Sequence, residues 1–168
     1  MHPKLTIFVS RKRKRASGLL SVIMIVFAVL FLLLGILFSR GFFLPCFLMA
    51  GLYFAYDLFS SRDYEYILEN NLLQIDLIRG KRLRTTQHII DLQNLVVVAP
   101  HDHEAVSDYR RGGPKGKIAK YDYTSYDDAV PYYTMIAYEE KKPVKLLLDL
   151  NEEFLLALKS SYPEKVFR

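Results

Sequence analysis

The chain holds one cysteine and no tryptophan. A lone thiol, Cys46, excludes an intramolecular disulfide and any zinc site built from several cysteines. Charge is also scarce over one long interval: between Ser17 and Phe59 only Arg40 and Asp57 are formally charged. A third shortage is of basic surplus in the C-terminal part, because residues 60–168 carry 16 basic and 17 acidic side chains while the whole chain is at +5. Nucleic-acid binding draws most of its affinity from neutralised phosphates, so a region without that surplus argues against a nucleic-acid partner. The excess sits instead in the first 15 residues, where Lys4, Arg11, Lys12, Arg13, Lys14 and Arg15 have no acid among them.

What is present divides the 168 residues into a membrane segment and one domain of ordinary size. Ser17 to Phe38 is a 22-residue run without charge, about 33 Å long as a helix and enough to cross a hydrocarbon core. Phe42 to Phe59 forms a second, shorter run whose Pro45 is tolerable in a first helical turn, where its missing N–H has no acceptor to lose. A cleaved signal peptide fits poorly, since the first run exceeds the usual core of about 7–15 residues and no A-x-A-like site follows. Ser39-Arg40-Gly41 leaves room only for a tight turn, so both ends of the hairpin lie on one side. The basic excess before Ser17 puts that side, and both termini, in the cytoplasm of a cell (inner or plasma) membrane. Ser21, Ala28 and Gly35 recur every seventh position, and Cys46 with Ala50 and Gly51 with Ala55 are small pairs four apart; both patterns allow close helix packing.

After Ser60 the period becomes two. Strands are predicted at Tyr64–Leu68, Leu73–Ile78, Leu83–Ile90, Leu95–Ala99, Tyr121–Thr124, Tyr132–Glu139 and Val144–Leu148, with turns at Asn70-Asn71 and Arg79-Gly80-Lys81. Consecutive hairpins imply an antiparallel meander. Residues 151–160 read as a helix with Asn151 as N-cap, Glu152 and Glu153 in the first turn, and Leu150 placed to staple on Leu155. The expected fold is therefore an α+β membrane protein: a basic arm at 1–16, a transmembrane hairpin at 17–59 (17–38 and 42–59), and an antiparallel β domain at 60–168 capped by a C-terminal helix.

The run YEYILENNLLQIDLIRGKRLR…IIDLQNLVVVAP, set behind two spans and ahead of one closing helix, resembles a family of bacterial two-span membrane proteins with a pleckstrin-homology-like (PH-like) cytoplasmic domain. That resemblance implies a seven-strand, partly open barrel capped by the C-terminal helix, and implies no activity. In phosphoinositide-binding relatives the basic cluster lies at the first hairpin. Here that hairpin is Glu69-Asn70-Asn71, without a basic residue.

Two groups of basic residues are candidates for binding lipid or a partner: Arg79, Lys81, Arg82 and Arg84 at the second hairpin, and Arg110, Arg111, Lys115 and Lys117 in a polar loop spanning residues 100–120. That loop fails the phosphate-binding P-loop pattern, with Ile118 where Ser or Thr should stand. His101-Asp102-His103-Glu104, with Asp108 and His88, offers ligand types but no spacing that fixes a third ligand, so no metal and no cofactor is expected. No nucleophile has a placed base and no carboxylates are paired at a defined spacing, so the chain is read as non-enzymatic. The expected function is a membrane-anchored scaffold presenting its domain to a protein partner or a second copy. The alternative is a membrane-surface module whose basic hairpin and loop bind anionic headgroups.

Overall fold

The computed structural model describes residues 4–12, 15–60, 62–80, 83–110, 112–113 and 116–168. These fall into two compact units. One joins the first strand to residues 63–78 and 84–168; the other holds residues 12–62 with 79–83.

In the second unit, α1 (Arg15–Leu37) and α2 (Phe43–Ser60) pack against each other across a short turn. Both are long and apolar enough to cross a membrane, and their large apolar side chains are exposed on most faces. The less exposed positions of α1 fall at Ser17, Ser21, Met24, Ala28, Phe31, Leu34 and Gly35, a period of about 3.5 that forms one seam. Gly35 is buried there, and a Cβ on it would stand 2.8 Å from the Phe43 ring. Cys46 and Ala50 are half-buried, whereas Gly51 and Ala55 are exposed, so only the first small pair serves the hairpin. Ser39 turns the chain by accepting the Gly41 N–H at 3.4 Å. Gly80 belongs to this unit as well, with φ +55° and room for no Cβ, which would meet Leu58 Cδ1.

Among the described residues the first unit contains eight strands. β1 (Leu5–Ser10), β2 (Asp63–Glu69), β3 (Leu72–Arg79) and β4 (Leu83–Asp91) form one sheet in that order. β5 (Leu95–Pro100), β6 (Ala119–Asp122), β7 (Tyr133–Glu139) and β8 (Lys142–Leu148) form the second, in the order β5-β7-β8-β6. Two-residue turns with positive φ, at Asn70-Asn71 and at Glu140-Lys141, close the β2–β3 and β7–β8 hairpins. That sign at both central positions matches the right-handed twist of the flanking strands. Alternate residues of β2 and β3 point inward: Tyr64, Tyr66 and Leu68, then Leu73, Ile75 and Leu77. With Val98, Met135, Leu146 and Leu148 from the other sheet they make one core, closed by Phe154, Leu155 and Leu158 of α3 (Glu152–Ser161).

Three expectations need correction. Residues 1–16 are not simply a basic arm, because Leu5–Ser10 alternates half-buried and exposed side chains and pairs antiparallel with β2 from Leu5↔Leu68 to Ser10↔Asp63. Among the described residues the strands number eight, where seven are expected, and they lie in two four-stranded sheets with no closed barrel. β6 also breaks the meander: the long connection after β5 carries it past β7 to the free edge of β8, where it pairs in parallel.

Candidate functional site

Of the eight basic residues predicted to bind lipid or a partner, Lys81, Arg82, Arg111 and Lys115 lie outside the described residues. Arg79 ends β3, half-buried. Arg84 is committed to the surface of its own sheet, with Nη2 2.6 Å from Glu65 Oε2 and Nη1 3.7 Å from Asp76 Oδ2. Arg110 donates to the Asp102 carbonyl. Lys117 is exposed beside Tyr109, Ile118 and Lys141 at a hollow of about 380 Å³. The nearby glycines are no phosphate cradle, because the N–H groups of Gly113 and Gly116 bond each other's carbonyls at 2.7 and 3.0 Å.

Glu104–Tyr109 is a 3-10 helix capped by His103, whose Nδ1 accepts the Ala105 N–H at 3.1 Å. It buries Val106 against Val97, Ala99 and Ile136 on the outer face of the second sheet. Lys145 reaches up from β8 to donate to the Tyr109 carbonyl at 2.8 Å; burial, with Lys120 and Arg110 nearby, lowers its pKa. His88 is bonded to Glu139 at 2.7 Å and packs edge-on against Tyr121. His101 Nδ1 bonds Thr134 Oγ1 at 3.1 Å, and burial holds its pKa below the usual imidazole value, with Lys145 adding to the effect. The histidines therefore serve separate contacts, and no group of three potential metal ligands converges among the described residues.

The concave feature richest in chemistry is a cleft of about 500 Å³ beside the second sheet. β6 supplies Lys120 and Asp122, the end of β8 supplies Asp149, and the Thr124–Tyr132 loop supplies Tyr126, Asp127 and Asp128. Asp122 is engaged through one oxygen. Its Oδ1 accepts from Thr124 N and Oγ1 at 3.1 and 2.8 Å and from Arg11 Nη2 at 3.1 Å. Arg11, the residue after β1, also donates through Nε to the Thr124 carbonyl at 2.9 Å, and its guanidinium lies 4.1 Å from the Tyr126 ring centre and 4.9 Å from that of Tyr64. A residue that reads from sequence as one charge in a topology signal is thus a mostly buried clamp between the sheets. Asp149 is 6% exposed; its Oδ2 accepts the Ser125 N–H at 2.8 Å while its Oδ1 has no hydrogen-bond partner. Sequence reasoning passed over it, since an acid between a strand and an N-capped helix reads as a turn residue. Only its burial gives it away.

Comparison with curated proteins and with solved structures gives no match. A family model described as "Bacterial PH-like domain (DUF6106)" matches residues 6–168, from β1 through both apolar helices to the C-terminus. The match covers nearly the whole chain and agrees with two sheets closed by a C-terminal helix, so the chain belongs to this family of bacterial PH-like domains.

Proposed function

We propose that the chain is a non-enzymatic, membrane-anchored interaction module that presents its PH-like domain to the cytoplasm to bind a protein partner or a second copy of itself. The observation that carries this reading is the cleft beside β6 and β8, in which five aspartates outnumber Lys120 and His101. Anionic headgroups are repelled by such a lining and cationic groups are drawn to it. Arg84 and Arg110, which an anionic lipid would need, are already engaged with Glu65, Asp76 and the Asp102 carbonyl.

Anchoring is supported by the two apolar helices, and a shared side for their ends by the β1–β2 pairing. Ser10 stands opposite Asp63, so the chain leaves and re-enters the domain at adjacent points. The basic residues from Arg11 to Arg15 then favour the cytoplasm.

The test is a photo-crosslinking residue at Val130, which is exposed at the rim of the cleft, in the full chain expressed in a bacterial membrane. Crosslinks to protein, whether another chain or a copy of this one, are expected. Crosslinks to anionic lipid alone would replace this reading with headgroup binding through the basic hairpin and loop.

A further inference from the structure

A buried carboxylate oxygen without a donor calls for a functional account, because desolvation penalises it with nothing in return. Among the described residues four buried side-chain atoms lack a hydrogen-bond partner: Ser17 Oγ, Glu65 Oε2, Arg79 Nε and Asp149 Oδ1. Glu65 Oε2 is ion-paired with Arg84. Asp149 is therefore the one carboxylate of the four left without a donor. It lines two cavities, the cleft of about 500 Å³ and a smaller one of about 280 Å³ bounded by Ile7–Ser10, Leu150 and Asn151. Asp127 and Val130 also line both, so the Thr124–Tyr132 loop is the partition over Asp149. Within that loop Tyr126 has φ +59°, a left-handed conformation that is a real outlier for a bulky side chain. Strain of this kind concentrates at ligand clamps.

The chemistry of the missing donor can be read from the neighbouring clamp. The segment from Asp122 to Tyr126 already holds one guanidinium, that of Arg11, by a carboxylate, a backbone carbonyl and a tyrosine face. The lining of the cleft offers two of those three types of group, carboxylates and an aromatic face: the free Asp149 oxygen, exposed Asp128 and the ring of Tyr132. A divalent ion would need several converging ligands, and no group of three converges among the described residues.

We propose that Asp149 anchors a binding site for a guanidinium or primary ammonium group, delivered by a basic side chain of a protein partner that enters from the larger cleft and displaces the Thr124–Tyr132 loop. The inference rests on the interaction-module reading and names the chemistry of the partner. The energetic logic is that a cationic N–H group would both neutralise the carboxylate and supply its missing hydrogen bond.

The test uses the full chain in nanodiscs of zwitterionic phospholipid, titrated calorimetrically with an acetyl-Gly-Arg-Gly-amide peptide, its Glu counterpart, and spermidine. Saturable binding of the Arg peptide is expected, none of the Glu peptide, and weakening with added salt. D149N retains an acceptor for the Ser125 N–H, and should weaken Arg-peptide binding by about tenfold or more, the size of a hydrogen bond to a charged group. D128K changes an exposed position and should weaken binding without touching the fold, so it decides the matter if D149N does not fold. No saturable binding by the native chain, equal binding by folded D149N, or binding unmoved by D128K would overturn the site. Binding of spermidine without the Arg peptide would overturn its assignment to a protein segment. Crosslinks from Val130 to protein, with no peptide binding, would reject the Asp149 site and leave the module reading standing.

Discussion

Ser10 and Asp63, 53 positions apart, stand opposite each other across β1 and β2 and share a 2.8 Å hydrogen bond from Ser10 Oγ to Asp63 Oδ1. The helical hairpin is thus an insertion within a β-hairpin. A truncated chain of residues 61–168, nearly the β domain read from the sequence at 60–168, lacks β1. It uncovers the edge of β2 and removes Val9 from the core. Unpaired strand edges promote aggregation. We expect residues 61–168 to be aggregation-prone, and a chain in which residues 12–62 are replaced by a short Gly-Ser turn to be monomeric and to unfold cooperatively. Size-exclusion chromatography and thermal melts compare the two; equal behaviour would show that β1 contributes nothing.

Local rules were readable and long-range ones were not. The alternation of Tyr64, Tyr66 and Leu68, the Asn70-Asn71 turn and the Asn151 cap depend on neighbours a few positions away, and each appears where the pattern puts it. β1 was hidden because its partner lies beyond two apolar helices and its flank is the basic run, which has a topological meaning of its own. The same holds for the candidate site. Arg11 becomes a clamp only when Thr124 and Asp122 are folded beside it, and nothing local to Asp149 announces an oxygen without a donor. The apolar helices carry the plainest signal, because it is one of composition and length alone.

The Arg11 clamp makes a second prediction. Its side chain is 12% exposed and that of Asp122 30%, so solvent screens the pair only in part. Arg11→Ala should destabilise the domain by about 1.5–3 kcal/mol, the range for hydrogen bonds to charged groups. Arg11→Lys should recover only a fraction, because an ammonium cannot contact Thr124 and Asp122 through a planar fork while lying on Tyr126. Denaturant melts of the three chains in detergent check the order. If Lys restores full stability, net charge and not the fork is what matters.

In α3 the prediction contrasts neighbours. Leu155 and Leu158 are 3% and 1% exposed, while Leu156 is 54% exposed. Leu158→Ala should cost about 2–5 kcal/mol as a core truncation, and Leu156→Ala should stay within about 0.5 kcal/mol. Asn151, whose Oδ1 accepts the Phe154 N–H at 2.9 Å, should cost about 1 kcal/mol when replaced by Ala. Equal losses at Leu156 and Leu158 would mean that α3 does not cap the sheets as described.

The last prediction uses pH. His101 lies at the rim of the acidic cleft, and burial disfavours its charged form; Lys145 adds to this, Asp102 opposes it, and Arg110 and Lys120 reinforce it. With the folded pKa below the unfolded value of about 6.5, the unfolded chain binds more protons between the two values, and stability rises with pH there. The contribution is complete above about pH 6.5 and is lost as pH falls from there towards the folded pKa. His101→Asn removes this term and can keep a hydrogen bond to Thr134 Oγ1, the partner of Nδ1 in the native chain. The melting temperature of the native chain should therefore fall relative to that of His101→Asn on going from pH 7.5 to 5.5. A difference that stays constant over that interval would show that His101 titrates as it does in the unfolded chain.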